Sequence, residues 1–142
     1  MHLDEQALFS DQQAITATAA STNYIDRGAV NTPPGGSNAI RNDLGGGGNI
    51  PLLIQVTADF NNLTSLKIDV EVDDNTSFSS AKVVASETVL LADLKAGKIV
   101  SPNVVPIGTD ERYMRLNYTV TGTAPTTGKV TAGIAGGIQT NG

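Results

Sequence analysis

The stretch SLKIDVEVDD, residues 65–74, alternates apolar and polar side chains without a break. Successive side chains of a strand point to opposite faces, so this stretch has one apolar face and one charged face. The apolar face contains Leu66, Ile68, Val70 and Val72, and the charged face contains Lys67, Asp69, Glu71 and Asp73. The pattern predicts an antiparallel strand with an acidic row in solvent. Such a row would also suit contact with a basic partner.

A second stretch, RYMRLNYTVTG at residues 112–122, alternates in the same way. Its apolar side carries Met114, Leu116, Tyr118 and Val120, and Tyr118 fits a core if its hydroxyl finds a hydrogen-bond partner. Tyr113 and Arg115 lie on the other side, where solvent, a sister subunit or a larger partner could face them. A catalytic Arg115 would need acids or nucleophiles nearby, and no motif supplies them.

Other short strands are predicted between turn signals. They cover residues 14–30, 51–60, 81–86, 87–91, 98–102, 103–108 and 128–139. ADLKAG, residues 92–97, predicts a single helical turn ended by Gly97. About eight short strands without a long helix indicate an all-β sandwich or closed barrel. An eight-stranded antiparallel jelly-roll sandwich fits this count, although periodicity does not separate it from an immunoglobulin-like topology.

The chain divides by composition into an arm and one domain. Residues 1–13 form a polar arm with Leu3, Leu8 and Phe9, which fits either a frayed terminus or a segment that docks on a neighbouring subunit. We expect a single domain over residues 14–142. Within it, residues 31–50 carry two prolines and six glycines, which predicts a long loop because such a stretch does not hold a sheet ladder.

Composition excludes several classes of partner. The net charge is −5 and the nine basic residues are scattered, whereas nucleic-acid binding needs several cations on one face. No apolar stretch approaches the ~20 residues of a membrane span. The first thirteen residues are acidic without an apolar core, so we expect no secretory signal there. Cysteine is absent, so disulfides and thiolate metal sites are excluded.

We expect no catalytic, cofactor-binding or metal-binding residues, and therefore no enzyme. His2 is the only histidine, and it lies at the terminus, where an imidazole is not held for catalysis. GGGG at residues 45–48 leads into a strand instead of a helix, so it does not match a phosphate-binding loop. DDNTS at residues 73–77 lacks the glycine and glutamate of a calcium loop and predicts a tight turn.

A β-sandwich module for carbohydrate or receptor binding is the alternative. Sugar-binding modules commonly offer aromatic side chains on which a sugar ring stacks. Tryptophan is absent and the tyrosines are Tyr24, Tyr113 and Tyr118, so such a platform is difficult to build from this chain.

Three segments together resemble the small capsid cement proteins of tailed bacteriophages, of the Bordetella-phage type. They are FSDQQAITATAASTNYID (9–26), DDNTSFSSAKVVAS (73–86) and RYMRLNYTVTG followed by GKVTAGI (112–134). The resemblance implies a jelly-roll fold and a decoration protein made in the host cytoplasm and bound to the outer capsid surface. It implies two kinds of partner, the major capsid protein and further copies of the chain in a small oligomer. The sequence does not give the oligomeric state, and we favour a dimer over a trimer. The family has no enzymatic residues to carry over, and the loop at 31–50 is longer than its pattern.

Two residue sets follow from these predictions. The predicted core contains Ile15, Leu53, Ile54, Val56, Ile68, Val70, Val72, Phe78, Val89, Leu116, Tyr118, Val130 and Ile134. The predicted contacts with a neighbouring subunit or the capsid are Leu3, Leu8, Phe9, Tyr113 and Arg115.

Overall fold

The structure, a computed structural model, describes residues 3–29, 31–40 and 43–138. Within these ranges the chain is all-β, and its strands form two antiparallel sheets. The three-stranded sheet has the order β1 (Leu3–Ala14), β8 (Lys129–Ala135), β4 (Leu52–Ala58). The five-stranded sheet contains β2 (Ala19–Ala20), β3 (Ile25–Asp26), β5 (Leu63–Asp73), β6 (Lys82–Leu90) and β7 (Tyr113–Gly122). In that sheet β7 lies between β5 and the two short strands, and β6 is the outer neighbour of β5.

The core is the apolar layer between the two sheets. It contains the inward residues of β4, β5, β7 and β8, and the alternation predicted for residues 65–74 and 112–122 places these residues correctly. All predicted core residues belong to this cluster except Leu53, Phe78 and Ile134. Ile134 is partly buried against it, whereas Leu53 and Phe78 are buried elsewhere.

The N-terminal segment differs from the expected arm, because residues 3–14 form β1 and pair with β8. Phe9 is 0% exposed in the core, so it does not reach a neighbouring subunit. The strand is irregular, with three register shifts and a positive φ of 43° at Gln12. These shifts break the two-residue period, which explains why the sequence does not show the strand.

Leu8 and Leu53 lie on the outer face of the three-stranded sheet. Both are register partners of Gly133 in β8, one on each side. A Cβ on Gly133 would lie 2.9 Å from Leu8 Cδ2, so the glycine leaves room for the leucine side chain to cross β8. Leu53 is therefore 1% exposed although it points away from the core.

The acidic row of β5 is also different from its prediction, since it is not solvated. Asp69, Glu71 and Asp73 are 4%, 8% and 1% exposed. β5 is the central strand between β6 and β7, and their side chains cover its outer face. Asp69 accepts a hydrogen bond from Ser86 of β6 at 2.6 Å and pairs with Lys67 at 3.0 Å. Buried carboxylates need such partners, and each of these has them.

Two predicted segments are divided differently. Residues 82–90 form the single strand β6 instead of two strands, and the predicted strand at 14–30 is reduced to β2 and β3. Between these short strands the chain turns towards β1, where the Asn23 amide donates to the Phe9 carbonyl at 3.0 Å. The predicted turn at 92–97 begins with a 3-10 segment, Leu91–Asp93, and Gly97 has a positive φ of 93°.

The segment 98–105 runs beside β4 without forming a continuous strand. It makes isolated bridges at Ile99 and Val104, and Val100 donates to the Ile54 carbonyl at 2.8 Å. The predicted short edge strands at 98–102 and 103–108 are therefore only bridges, but they cover the outer edge of β4.

A buried hydrogen-bond chain joins the two sheets. The hydroxyls of Tyr118 in β7 and Ser10 in β1 lie 2.8 Å apart, and both residues are 0% exposed. Ser10 donates its proton to Gln13 Oε1 at 2.7 Å, so Tyr118 is the donor to Ser10. Burial raises the pKa of Tyr118 well above its ordinary value, although the bond to Ser10 opposes this. The hydroxyl partner that Tyr118 requires is therefore on β1.

Candidate interaction surface

An aromatic cluster lies on the outer side of the five-stranded sheet, where β7 begins. It contains Tyr24, Phe78 and Tyr113, which come from the β2–β3 connection, the β5–β6 connection and β7. The rings of Tyr24 and Tyr113 meet edge to face, with centroids 5.5 Å apart and an angle of 90°. Tyr24 and Phe78 are 6.2 Å apart and tilted by 58°. Tyr24 is 47% exposed, so the cluster has a solvent-facing side.

The pairing of β7 with β3 and β5 brings the residues of the cluster together. Tyr113 is the partner of Asp73 in β5 and of Asp26 in β3, so it lies between the ends of two strands. Phe78 has a positive φ of 50°, an uncommon conformation for a bulky residue. Residues held in such a conformation cost about 1–3 kcal/mol and cluster at functional sites, where the surroundings hold them in place.

The carboxylate of Asp73 holds the loop that carries Phe78. It accepts hydrogen bonds from the Ser80 amide at 2.8 Å and from the Asn75 side chain at 2.7 Å. Burial alone would raise the pKa of Asp73, but the bonds from Ser80 and Asn75 outweigh burial and lower it. The turn predicted for residues 73–77 is thus formed around a charged carboxylate.

Arg115 lies beneath this surface. Its Nε donates to Glu71 Oε2 at 2.8 Å, and its guanidinium carbon is 4.2 Å from the centre of the Phe78 ring. The side chains of Arg115 and Glu71 are 24% and 11% exposed. A partly buried ion pair stacked on an aromatic ring supports the ring above it, so Arg115 contributes mainly by holding Phe78 in place.

Arg112 borders the cluster on the β3 side. Its Nε and a terminal nitrogen bind the two carboxylate oxygens of Asp26 at 2.8 Å each, and its guanidinium lies 5.0 Å from the Tyr113 ring centre. The bond from Arg112, with a second bond from the Gly28 amide, lowers the pKa of Asp26 to about 2. The pair fixes β3 against β7 beside Tyr113.

Carboxylates dominate the neighbouring loop ends. The Arg112 amide donates to Asp74 at 3.3 Å, and Asp110 pairs with Lys82 at 3.4 Å. Burial, followed by the nearby charges of Asp74, Asp73 and Asp110, raises the pKa of Glu111. This end of the molecule therefore presents negative charge beside exposed aromatic rings.

The predicted contact residues do not form one patch. Tyr113 and Arg115 lie together in or under the cluster, whereas Leu3 and Leu8 lie half-buried on β1 and Phe9 lies in the core. Sequence reasoning missed Tyr24 and Arg112. It predicted that Phe78 is buried, which it is at 7% exposure, but not that its ring takes part in this cluster. The Asp-rich turn with Phe78 was a signal for this position, but nothing local shows that the turn folds over Arg115.

Several features of the described residues bear on what this surface could bind. The tyrosine rings are perpendicular, so they do not offer one flat surface to a sugar ring. Among the described residues, no group of three or more His, Cys, Asp or Glu side chains is arranged to hold a metal ion. No helix within those residues has the length and apolar character to span a membrane. His2, the sole histidine, lies outside the described residues.

Comparison with known proteins places the chain in a family. The model of the Bbp16 family, a family of Bordetella phage proteins, matches residues 9–134. The chain belongs to the Bbp16 family. The match confirms the Bordetella-phage resemblance and includes all three segments that carry it. A Bbp16 protein is a phage protein, which agrees with a structural role in the virion. No curated protein matched the chain.

Proposed function

We propose that this chain is a cement protein, a structural virion protein that binds the outside of an assembled phage capsid. In this role it clamps neighbouring major capsid subunits, acts without catalysis and needs no cofactor. The family match over residues 9–134 carries the proposal. The aromatic cluster and its acidic border support it, since aromatic side chains are enriched at protein–protein contact surfaces.

The strand order supports a jelly roll. With the segment 98–105 beside β4, the first layer reads β1, β8, β4 and 98–105. The facing layer reads β2 with β3, then β7, β5 and β6. The chain passes between the layers after β1, β3, β4, β6, the 98–105 segment and β7. Two facing four-membered layers with such crossings are typical of the double-sheet jelly roll.

Stabilisation by a cement protein follows from linkage. A ligand that binds the assembled lattice and not its separated subunits stabilises the lattice by RT ln(1 + [L]/Kd), about 2.7 kcal/mol per site at a hundred times Kd. A homo-oligomer, for which we favour a dimer over a trimer, would bridge several subunits and gain effective concentration. Modest affinity per contact is then sufficient.

We assign the capsid contact to the exposed side of the aromatic cluster. Tyrosine is enriched among residues that dominate binding energy, and the Tyr24–Tyr113 pair is held by Phe78 and Arg112 before binding. A surface that is already ordered loses little conformational entropy on association. Leu3 and Leu8 are half-buried, and we assign them to contact with a neighbouring copy.

The test uses phage particles assembled without this protein. Adding the purified chain should restore its sedimentation with expanded capsids and raise their melting temperature. Tyr24→Ala and Tyr113→Ala should each weaken binding by about tenfold or more. Ile107→Ala, which truncates a 76% exposed side chain outside the cluster, is the matched control and should bind normally. A wild-type chain that does not sediment with capsids would refute the proposal.

A further inference from the structure

The edges of the two sheets differ in their protection. β1 is interrupted by three register shifts and carries Asp4, Glu5 and Asp11. The edge of β4 is covered by the segment 98–105, and the opposite edge of the five-stranded sheet consists of β2 and β3, with two residues each. Natural proteins use such bulges, charges, covers and short strands to prevent edge pairing.

Strand β6 has little of this protection. It is nine residues long, contains no proline and, among the described residues, pairs only with β5. From Ala85 to Leu90 it pairs residue by residue without a shift, and its single irregularity lies near its start. Its charges are Lys82 and Glu87, and its large apolar side chains Val83 and Leu90 are 49% and 58% exposed. An edge of this kind is a template for another strand.

A groove adjoins this edge. It lies between the second half of β6 and the segment 98–101, and it has a volume of about 280 Å³. Its apolar lining comes from Val89, Leu90, Ile99 and Val100. Strand addition uses main-chain hydrogen bonds for affinity and pockets for alternate side chains for specificity. The edge and the groove supply both requirements next to each other.

We propose that the β6 edge binds an extended segment of the major capsid protein, with apolar side chains that enter the groove and basic side chains beside them. The proposal rests on the cement function and deepens it. A clamp between two capsid subunits needs two contacts, and the aromatic cluster supplies one of them. The β6 edge supplies the second.

Charge selects this occupant over a second copy of the chain. Glu87 and Asp93 line the groove, and neither has an ion-pair partner among the described residues, whereas Lys98 is the cation in the lining. A second copy would bring the same carboxylates and a further net charge of −5 to this edge. A basic segment of another protein neutralises them.

Hydrogen–deuterium exchange on the capsid-bound chain tests the main-chain contact. Peptides that cover residues 82–90 should exchange more slowly on capsids than in the free protein, since outward amides of β6 become hydrogen-bonded. Peptides from β8, which is paired on both sides and lies outside the proposed contacts, serve as the internal comparison and should change little. Normal capsid binding without slower exchange in residues 82–90 overturns the proposal and leaves the cement function intact.

A charge reversal tests the chemistry of the partner. Glu87→Lys with Asp93→Lys should weaken capsid binding by about tenfold and reduce its salt dependence. Asp11→Lys with Thr123→Lys and Ala124→Lys changes the net charge equally at exposed positions outside the aromatic cluster and the β6 edge, and should bind normally. Equal binding by the two charge variants overturns the proposal, and so does a free protein whose β6 is already protected in a dimer. Absence of wild-type binding would instead remove the cement function itself.

Discussion

The buried contact between Ser10 and Tyr118 gives a sharp prediction, because its two hydroxyls are not equivalent. Tyr118 donates to Ser10, and Ser10 donates onward to Gln13 Oε1. Gln13 Oε1 also accepts from the Thr22 amide at 3.0 Å, and Gln13 Nε2 donates to the Ala20 carbonyl at 2.9 Å. The hydrogen bonds therefore run in one direction, from Tyr118 in β7 through Ser10 to Gln13 in β1, and Gln13 connects them to the β2 region.

Removal of each hydroxyl leaves a different group behind. Ser10→Ala leaves the Tyr118 hydroxyl buried without an acceptor, which costs about 1–3 kcal/mol of the free energy of unfolding. Tyr118→Phe removes the donor but leaves Ser10 bonded to Gln13, so we expect a cost of about 0.5–1.5 kcal/mol. The double variant removes the orphaned hydroxyl as well, so its cost should be less than the sum of the single costs.

Urea unfolding followed by circular dichroism measures these differences. The midpoint should fall further for Ser10→Ala than for Tyr118→Phe, with the slope unchanged in both. The coupling energy from the double-mutant cycle should be about 1 kcal/mol. A larger loss in Tyr118→Phe than in Ser10→Ala, or additive costs in the double variant, would refute the donor assignment.

Two further predictions concern packing and acid stability. Gly128→Ala should destabilise the fold by about 1–3 kcal/mol, because its φ is 132° and an added Cβ would lie 2.3 Å from the Phe60 ring. Gly47→Ala, where no atom lies within 4 Å, is the control, and equal urea midpoints for the two variants would contradict this. The pKa of Asp26 in the folded protein is about 2, against an ordinary 3.8. The contribution of this carboxylate to the free energy of unfolding is therefore complete above pH 3.8 and is lost as the pH falls towards 2. Between pH 3.8 and 2 the free energy of unfolding should fall less steeply with pH in Asp26→Asn than in the wild type. Identical pH slopes for the two proteins would contradict this prediction.

The sequence predicted most of the central strands. Residues 51–60, 65–74, 112–122 and 128–139 correspond to β4, β5, β7 and β8, with boundaries shifted by a few residues. In these strands a regular alternation coincides with burial on one face, which is the signal that a single sequence contains. The family could also be recognised from the sequence, because the three segments that resemble it all lie within the matched residues 9–134.

There is a physical reason why β1 could not be predicted from the sequence. β1 pairs with β8, more than a hundred residues away, and its register shifts remove the two-residue period. Phe9 and Ser10 are neighbours, yet both are 0% exposed. Deletion of this segment would remove Phe9 and Ser10 from the interior, so we expect it to destabilise the fold.

The contact surfaces depend on strand order, which the alternation of a strand does not encode. Asp69 and Glu71 looked like an exposed acidic row, but β5 is central, and its neighbours use those carboxylates internally. Within the five-stranded sheet, large side chains are exposed where pairing ends, at the start of β7 and along β6. Tyr24 is exposed because β2 and β3 are short, and Val83 because β6 has no outer neighbour in the described part of the chain. Both proposed contacts therefore arise from unpaired ends and edges of the five-stranded sheet.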